Sequence, residues 1–166
     1  MRLEHGFEPV YNSRSRVFVL GSFPSVASRD DGFYYGHPQN RFWRVIAAIL
    51  GEAPPASIEE KKALLLNGGI ALWDVVKSCE ITGSSDASIR DVIPNDIPMI
   101  LARCPVERIY ANGGTAYSLY RKHLLRITGR EAVRLPSTSP ANAAWSYERL
   151  LVAWRVVADG GADVRG

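Results

Sequence analysis

The stretch Phe33-Tyr34-Tyr35-Gly36-His37-Pro38-Gln39-Asn40-Arg41-Phe42-Trp43 gathers the residues of this chain best suited to act together. It runs three aromatics into a polar knot and then directly into a helix. His37 is the side chain there whose ordinary titration lies near neutrality. It can donate to a neighbouring group, or bond to backbone as a structural histidine. Asn40 carries an amide, which donates and accepts hydrogen bonds but is a very poor base. As a residue type it serves equally as an N-cap for a helix starting near Arg41. Four more segments are small, hydroxyl-rich and nearly free of acids: Gly21-Ser22-Phe23-Pro24-Ser25, Asp74-Val75-Val76-Lys77-Ser78, Asn112-Gly113-Gly114-Thr115 and Pro136-Ser137-Thr138-Ser139-Pro140-Ala141-Asn142. Their backbone N–H groups and hydroxyls suit phosphate oxygens, and the same residues are also ordinary turn formers.

Each of these four segments follows an apolar run that reads as a strand. Val17-Phe18-Val19-Leu20 is continuously apolar and closed by Gly21, as a buried parallel strand is. Ile70-Ala71-Leu72-Trp73 with Val75-Val76 reads as a second strand, residues 106–111 as a third and Ala132-Val133-Arg134-Leu135 as a fourth. Between them lie helical patterns. Phe42, Trp43, Val45, Ile46, Ile49 and Leu50 recur at helical spacing up to Gly51. Ser57-Ile58-Glu59-Glu60 is a capping box for a helix ending at Gly68-Gly69. Residues 95–103 hold a shorter helix with Pro98 in its first turn, 115–125 an amphipathic one, and 143–157 a docking helix bearing Trp145, Leu150, Leu151, Trp154 and Val157. The segment between Gly21 and Pro38 reads as one long loop. The alternation predicts an α/β fold, a three-layer α/β/α sandwich around a central four-stranded, mainly parallel sheet. In such sheets ligands sit beyond the carboxyl ends of the strands, where the polar segments fall.

Composition sets the outer limits. The chain has 166 residues, 46% hydrophobic and 22% charged, which is one domain with a real core rather than a disordered chain. We expect a single domain over 1–166, with an N-terminal arm (1–15) and a frayed tail (159–166). Two cysteines are too few for a disulfide scaffold or a four-thiolate metal site. His5, His37 and His123 lack metal-ligand spacing, so no metal and no cofactor are expected. Dinucleotide, phosphate-loop and Gly-x-Ser-x-Gly signatures are missing. A Ser22–His37–Asp31 triad can be written down but satisfies no spacing rule. The N-terminus has no apolar leader and no run reaches the ~20 residues of a spanning helix, so a cytoplasmic protein without membrane contact is the expectation. A net charge of +3 permits a polyanionic partner without demanding one.

Taken together and in order, several motifs resemble the uracil-DNA glycosylase superfamily. Gly36-His37-Pro38-Gln39-Asn40-Arg41-Phe42-Trp43 is similar to its mismatch-specific thymine/uracil branch. Pro9-Val10-Tyr11, Val19-Leu20-Gly21-Ser22-Phe23-Pro24-Ser25, Phe33-Tyr34-Tyr35, Asn112-Gly113-Gly114 and Leu135-Pro136-Ser137-Thr138-Ser139-Pro140-Ala141-Asn142 look like the hypoxanthine-DNA (deoxyinosine) branch. The resemblance runs from about Phe7 to the last helix. It implies a monofunctional glycosylase in base-excision repair, without lyase activity, that flips a deaminated base out of the duplex and hydrolyses its N-glycosidic bond. Flipping is required because the reacting carbon is inaccessible in stacked DNA, and it costs only a few kcal/mol at a mispaired base. Hypoxanthine is the expected base, with uracil or xanthine next.

The resemblance also implies roles. Asn40 takes the catalytic, water-orienting place, because the position before Pro24 that carries the catalytic Asp or Asn elsewhere in the superfamily is Phe23 here. Gly21, Ser22, Phe23, Tyr35 and His37 are expected around the base, with Tyr35 stacking on it and His37 bonding the leaving purine. Ser25, Ser137, Thr138, Ser139, Ala141 and Asn142 are expected on the DNA, the hydroxyls at phosphates and Ala141 and Asn142 in the minor groove. Asn142 also reads as an N-cap for the last helix. Leu135 stands where most of the superfamily has a His or Asn touching uracil, an apolar replacement that makes room for a purine. Arg29, Arg41 and Arg44 flank the loops and favour DNA, or are solvated charges. Lys77 is the lysine to consider for a Schiff base, and the resemblance speaks against one. The expected partner is double-stranded DNA with a deaminated or mispaired base, engaged by a monomer at the nucleoid. A mismatch-type uracil/thymine glycosylase, a non-catalytic damage binder and a free-nucleoside hydrolase are the alternatives.

Overall fold

The protein was analysed as a computed structural model, which describes residues 2–82 and 86–159. Along the chain run β1 (Arg2–Glu4), β2 (Val17–Gly21), α1 (Val26–Asp31), α2 (Phe42–Leu50), α3 (Ile58–Asn67), β3 (Ile70–Asp74) and β4 (Val76–Glu80). After them come β5 (Arg90–Pro94), α4 (Ile97–Arg103), β6 (Arg108–Asn112), α5 (Gly114–His123), α6 (Leu125–Thr128), β7 (Val133–Leu135) and α7 (Tyr147–Asp159).

The central sheet has the order β3-β2-β6-β7, every pair parallel. β2 and β3 are buried at every position, which is why both read as unbroken apolar runs. Helices flank this sheet: α3 packs on β3, α5 on β6 and β7, and α2 on α7. The α2–α7 contact is aromatic, with Trp154 edge-on to Phe42 at 5.9 Å. Gly51 in the left-handed conformation stops α2, and the Ser57 hydroxyl caps α3 by accepting from Glu60 N–H at 3.0 Å.

A second, antiparallel sheet of order β1-β4-β5 is the main departure from expectation. Val75-Val76 does not continue the second strand. Val75 is a corner: its N–H donates to Gly21 O at 2.8 Å and its carbonyl accepts from Asn95 N at 2.8 Å. The Asn95 amide then bridges Asp74 O and Val76 O at 2.9 and 3.2 Å, so the chain leaves one sheet and enters the other within two residues. An apolar run carries no mark of such a change of sheet. The segment after Gly21 is likewise not all loop, since α1 forms there under a Ser25 cap.

The N-terminal arm is integral. β1 pairs with β4, and Val10 exchanges two 2.9 Å backbone bonds with Leu72, covering the open edge of β3. The expected tail begins inside α7, whose last residue is Asp159, and residues 160–166 lie outside the described residues.

Candidate active site

At the carboxyl ends of β2, β3 and β6 opens a cavity of about 470 Å³. Its lining includes Gly21, Ser22, Phe23 and Ser25 from the first segment and Tyr35, His37 and Asn40 from the aromatic–polar stretch. Ser137, Thr138, Ser139 and Ala141 close it from the loop after β7. Of the residues expected at the site, only Asn142 does not line this cavity; it lies in an adjoining recess with Asn112, Arg134 and Trp145.

Asn40 is fixed from two sides. Its Oδ1 accepts from Phe42 N–H at 2.9 Å and from the Thr138 hydroxyl at 2.9 Å. The Phe42 N–H can only donate, so this atom is the oxygen, the Thr138 hydroxyl donates to it, and the remaining atom is the amide nitrogen. No described residue accepts from Nδ2. Asn40 therefore stands one residue outside the N-cap of α2, Arg41, holds the first helical N–H by its oxygen, and keeps its amide N–H groups at the cavity lining. What the geometry removes is acceptance: with Oδ1 occupied, Asn40 can hold a water by donating to it but cannot take its proton.

Thr138 is placed otherwise than expected. It is fully buried, its hydroxyl donates to Asn40 and accepts from Asn112 Nδ2 at 3.1 Å, and its N–H bonds Asn112 Oδ1 at 3.1 Å. A side chain so enclosed does not reach a phosphate; it ties the ends of three segments together. We expect Thr138→Val, which keeps the shape, to lower unfolding stability by about 1–3 kcal/mol through the stranded Asn112 amide. The same change should slow turnover by freeing Asn40. Urea denaturation and single-turnover kinetics on the one variant check both.

Arg41 is neither a DNA-facing nor a solvated charge in the structure. Its guanidinium bonds the carbonyls of Trp145, Ser139 (2.9 Å) and Asn142 (3.2 Å), and its N–H meets Thr138 O at 3.1 Å. It clamps the closing loop to the start of α2. Arg44 lies over the Tyr147 ring at 4.1 Å, and Arg29 bonds Pro24 O at 3.1 Å. The Asn142 amide turns back to Ser137 O at 3.0 Å rather than capping α7, a task the Ser146 hydroxyl performs at Arg149 N. Leu135 is buried as the last residue of β7 and stands outside the cavity, so it makes no room there. Ser25 spends its hydroxyl on Ser28, accepting from its N–H at 3.1 Å.

The aromatic wall is strained at one point. Tyr35 has φ of 54°, a left-handed conformation that is uncommon outside glycine. One ring face stacks on Phe42 at 4.2 Å, which holds the other toward the cavity. His37 accepts from Gln39 N–H through Nδ1 at 3.1 Å, so its proton sits on Nε2. Beneath them Gly21 has no room for a Cβ: one placed there would lie 2.3 Å from Asp74 Oδ1 and 2.8 Å from the Tyr35 oxygen.

Asp74 and His5 were missed by sequence reasoning. Asp74 ends β3 in the cavity wall, 4% exposed, with Oδ2 2.7 Å from Nε2 of the buried His5. Burial, and next the Asp74 charge, hold the neighbouring Tyr34 phenol well above its ordinary pKa, so it stays protonated and donates to Glu8 O at 2.8 Å. A carboxylate closing an otherwise apolar strand was the available signal for Asp74. Nothing nearby in sequence pointed to His5, which the arm delivers.

A family model described as the uracil DNA glycosylase superfamily matches residues 8–158. The hypoxanthine DNA glycosylase of Methanosarcina acetivorans is 35% identical over 148 residues, covering 89% of this chain and 93% of that protein. The protein of the same description from Methanosarcina barkeri is 32% identical over 140 residues, covering 84% and 88%. The solution NMR structure of a candidate uracil DNA glycosylase from Methanosarcina acetivorans superposes with a TM-score of 0.80 at 35% identity, covering 95% of this chain and 98% of that one.

Proposed function

The chain belongs to the uracil DNA glycosylase superfamily, and from that premise we propose that this DNA glycosylase excises hypoxanthine from duplex DNA as a monofunctional enzyme. The relatives described as hypoxanthine DNA glycosylases support the base. The observation that carries the mechanism is the junction of Asn40 with Thr138, which sets two motifs against one cavity.

The deaminated nucleotide, already weakly paired, swings out of the stack at a cost of a few kcal/mol. Its base enters the cavity and stacks on the free face of Tyr35, a contact worth about 1–3 kcal/mol. The glycosidic bond stretches toward an oxocarbenium-like sugar, and negative charge gathers on the base. The Nε2–H of His37 is the donor suited to that charge. A water held by the Asn40 Nδ2–H keeps a lone pair for the sugar carbon: the C–O bond forms as the C–N bond to the base breaks, and the water's proton passes to the departing base anion or to solvent. Such a cationic centre needs a placed water more than a strong base. Among the described residues lining the cavity there is no lysine, which supports hydrolysis without a Schiff base. Lys77 lies exposed on β4.

The test is incubation with duplexes carrying hypoxanthine, uracil, xanthine or a G·T mismatch. Strand scission is expected at hypoxanthine, and only after alkali. Absence of hypoxanthine release overturns the reading whatever the other duplexes do, and a borohydride-trapped covalent complex overturns its monofunctional part.

A further inference from the structure

The buried pair at the cavity wall has a fixed proton count. His5 Nδ1 lies 3.0 Å from the Phe7 carbonyl, which can only accept, so Nδ1 carries a hydrogen. His5 Nε2 then faces Asp74 Oδ2 at 2.7 Å, and two bare acceptors would not sit so close. One proton therefore lies between them, either on the histidine beside a carboxylate or on Oδ2 beside a neutral imidazole. Both arrangements are net neutral. Both also leave Oδ1, the oxygen beneath Gly21, as an acceptor. The other titratable groups around the pair are Tyr34, Tyr35 and, behind Tyr34, Glu8. Tyr34 is held protonated, with its hydroxyl turned to Glu8 O.

We propose that His5 is a specificity-determining positioning residue, locking Asp74 as the acceptor that reads the ring N–H which deamination of adenine creates. The proposal rests on the hypoxanthine reading above. Adenine presents a bare acceptor at N1, while hypoxanthine presents N1–H. An acceptor that cannot become a donor pairs with the second and repels the first. Guanine also carries N1–H, so this contact separates hypoxanthine from adenine alone. Neutrality matters as well: a lone carboxylate would oppose departure of a base gathering negative charge, and the histidine proton cancels that opposition.

The experiment measures single-turnover release of hypoxanthine and of unsubstituted purine, whose N1 is a bare acceptor, from otherwise identical duplexes. The readout is the ratio of the two rates in each variant. Asp74→Leu and His5→Leu should lower the wild-type ratio by about tenfold or more. Asp74→Asn should keep it, since its amide donates to His5 Nε2 and leaves Oδ1 toward the cavity. His5→Gln should keep it too, by donating to Oδ2. If the leucine variants fail to fold, His5→Leu combined with Asp74→Asn has no buried unpaired charge. There the amide is free to turn, and the ratio should fall well below that of Asp74→Asn alone. An unchanged ratio in the folded leucine variants or in the double variant overturns the proposal, as does a ratio near one in the wild-type protein. Absence of any hypoxanthine release by the wild-type protein overturns the proposed function instead, so the two failures are told apart.

Discussion

Asn40→Ala is expected to slow base release by about 100-fold or more, with lesion binding largely retained. Losing one preorganised donor in a shielded site typically costs about 10²–10³ in rate. The geometry explains why this residue stands apart from its neighbours. In the proposed mechanism Tyr35 and His37 each act by one face or one nitrogen, whereas Asn40 is engaged at both ends: its oxygen holds the Phe42 N–H and Thr138, and its nitrogen holds the water. Alanine removes both, so part of any effect is the lost bond to the Phe42 N–H, worth about 0.5–1.5 kcal/mol of stability. Asn40→Asp separates the two contributions. A carboxylate keeps the oxygen bonded to Phe42 N and Thr138 and replaces the donor with an acceptor. The fold should survive, while release becomes dependent on ionisation of the new carboxyl and rises with pH through its range. Single-turnover rates of both variants across pH, with binding measured on the same duplex, decide the matter. Wild-type rates in Asn40→Ala would remove Asn40 from the mechanism.

The largest effect on stability is expected at Trp154. It is fully buried, meets Phe42 edge-on, and donates its indole N–H to Pro136 O at 2.9 Å. Trp154→Ala should cost about 3–5 kcal/mol, which lowers Tm by about 2–4 °C per kcal/mol in a chain of this size. Trp154→Phe fills most of the space but cannot reach Pro136, the residue that leads into the closing loop. It should cost less stability and still slow base release, because Thr138 and with it Asn40 lose their backing. Thermal unfolding and single-turnover rates of the two variants check this. Full activity in a folded Trp154→Phe would show that Pro136 needs no anchor.

How much of this was legible in the sequence depended on whether the signal was local. The four parallel strands could be read because β2 and β3 are unbroken apolar runs and β6 and β7 are short segments with apolar residues set between helical patterns, and Ser57 and Gly51 marked helix ends by their residue types alone. The stretch 33–43 carried Tyr35, His37 and Asn40 to the cavity because they lie within six consecutive residues of chain. Distant partners were not legible. His5, just past β1, and Asp74, at the end of β3, meet across 69 positions. Arg41 reads as one more surface cation until the loop it clamps, about 100 residues on, is in view. The antiparallel sheet escaped because β5, Arg90-Asp91-Val92-Ile93-Pro94, is a charged edge strand ending in proline. Thr138 was misread for the opposite reason: among serines in a polar loop, nothing local marks the one hydroxyl that folds inward.

The bond between Asn40 and Thr138 spans 98 positions, and such a contact forms only after the intervening chain has closed a long loop. A growing or partly unfolded chain can carry the aromatic motif and the first strand, yet it holds no oriented amide. Under the proposed mechanism, the ability to break a glycosidic bond thus waits for the chain beyond the last strand to fold against Asn40. A chain that has lost its closing loop should therefore keep the aromatic wall around Tyr35 and release no base.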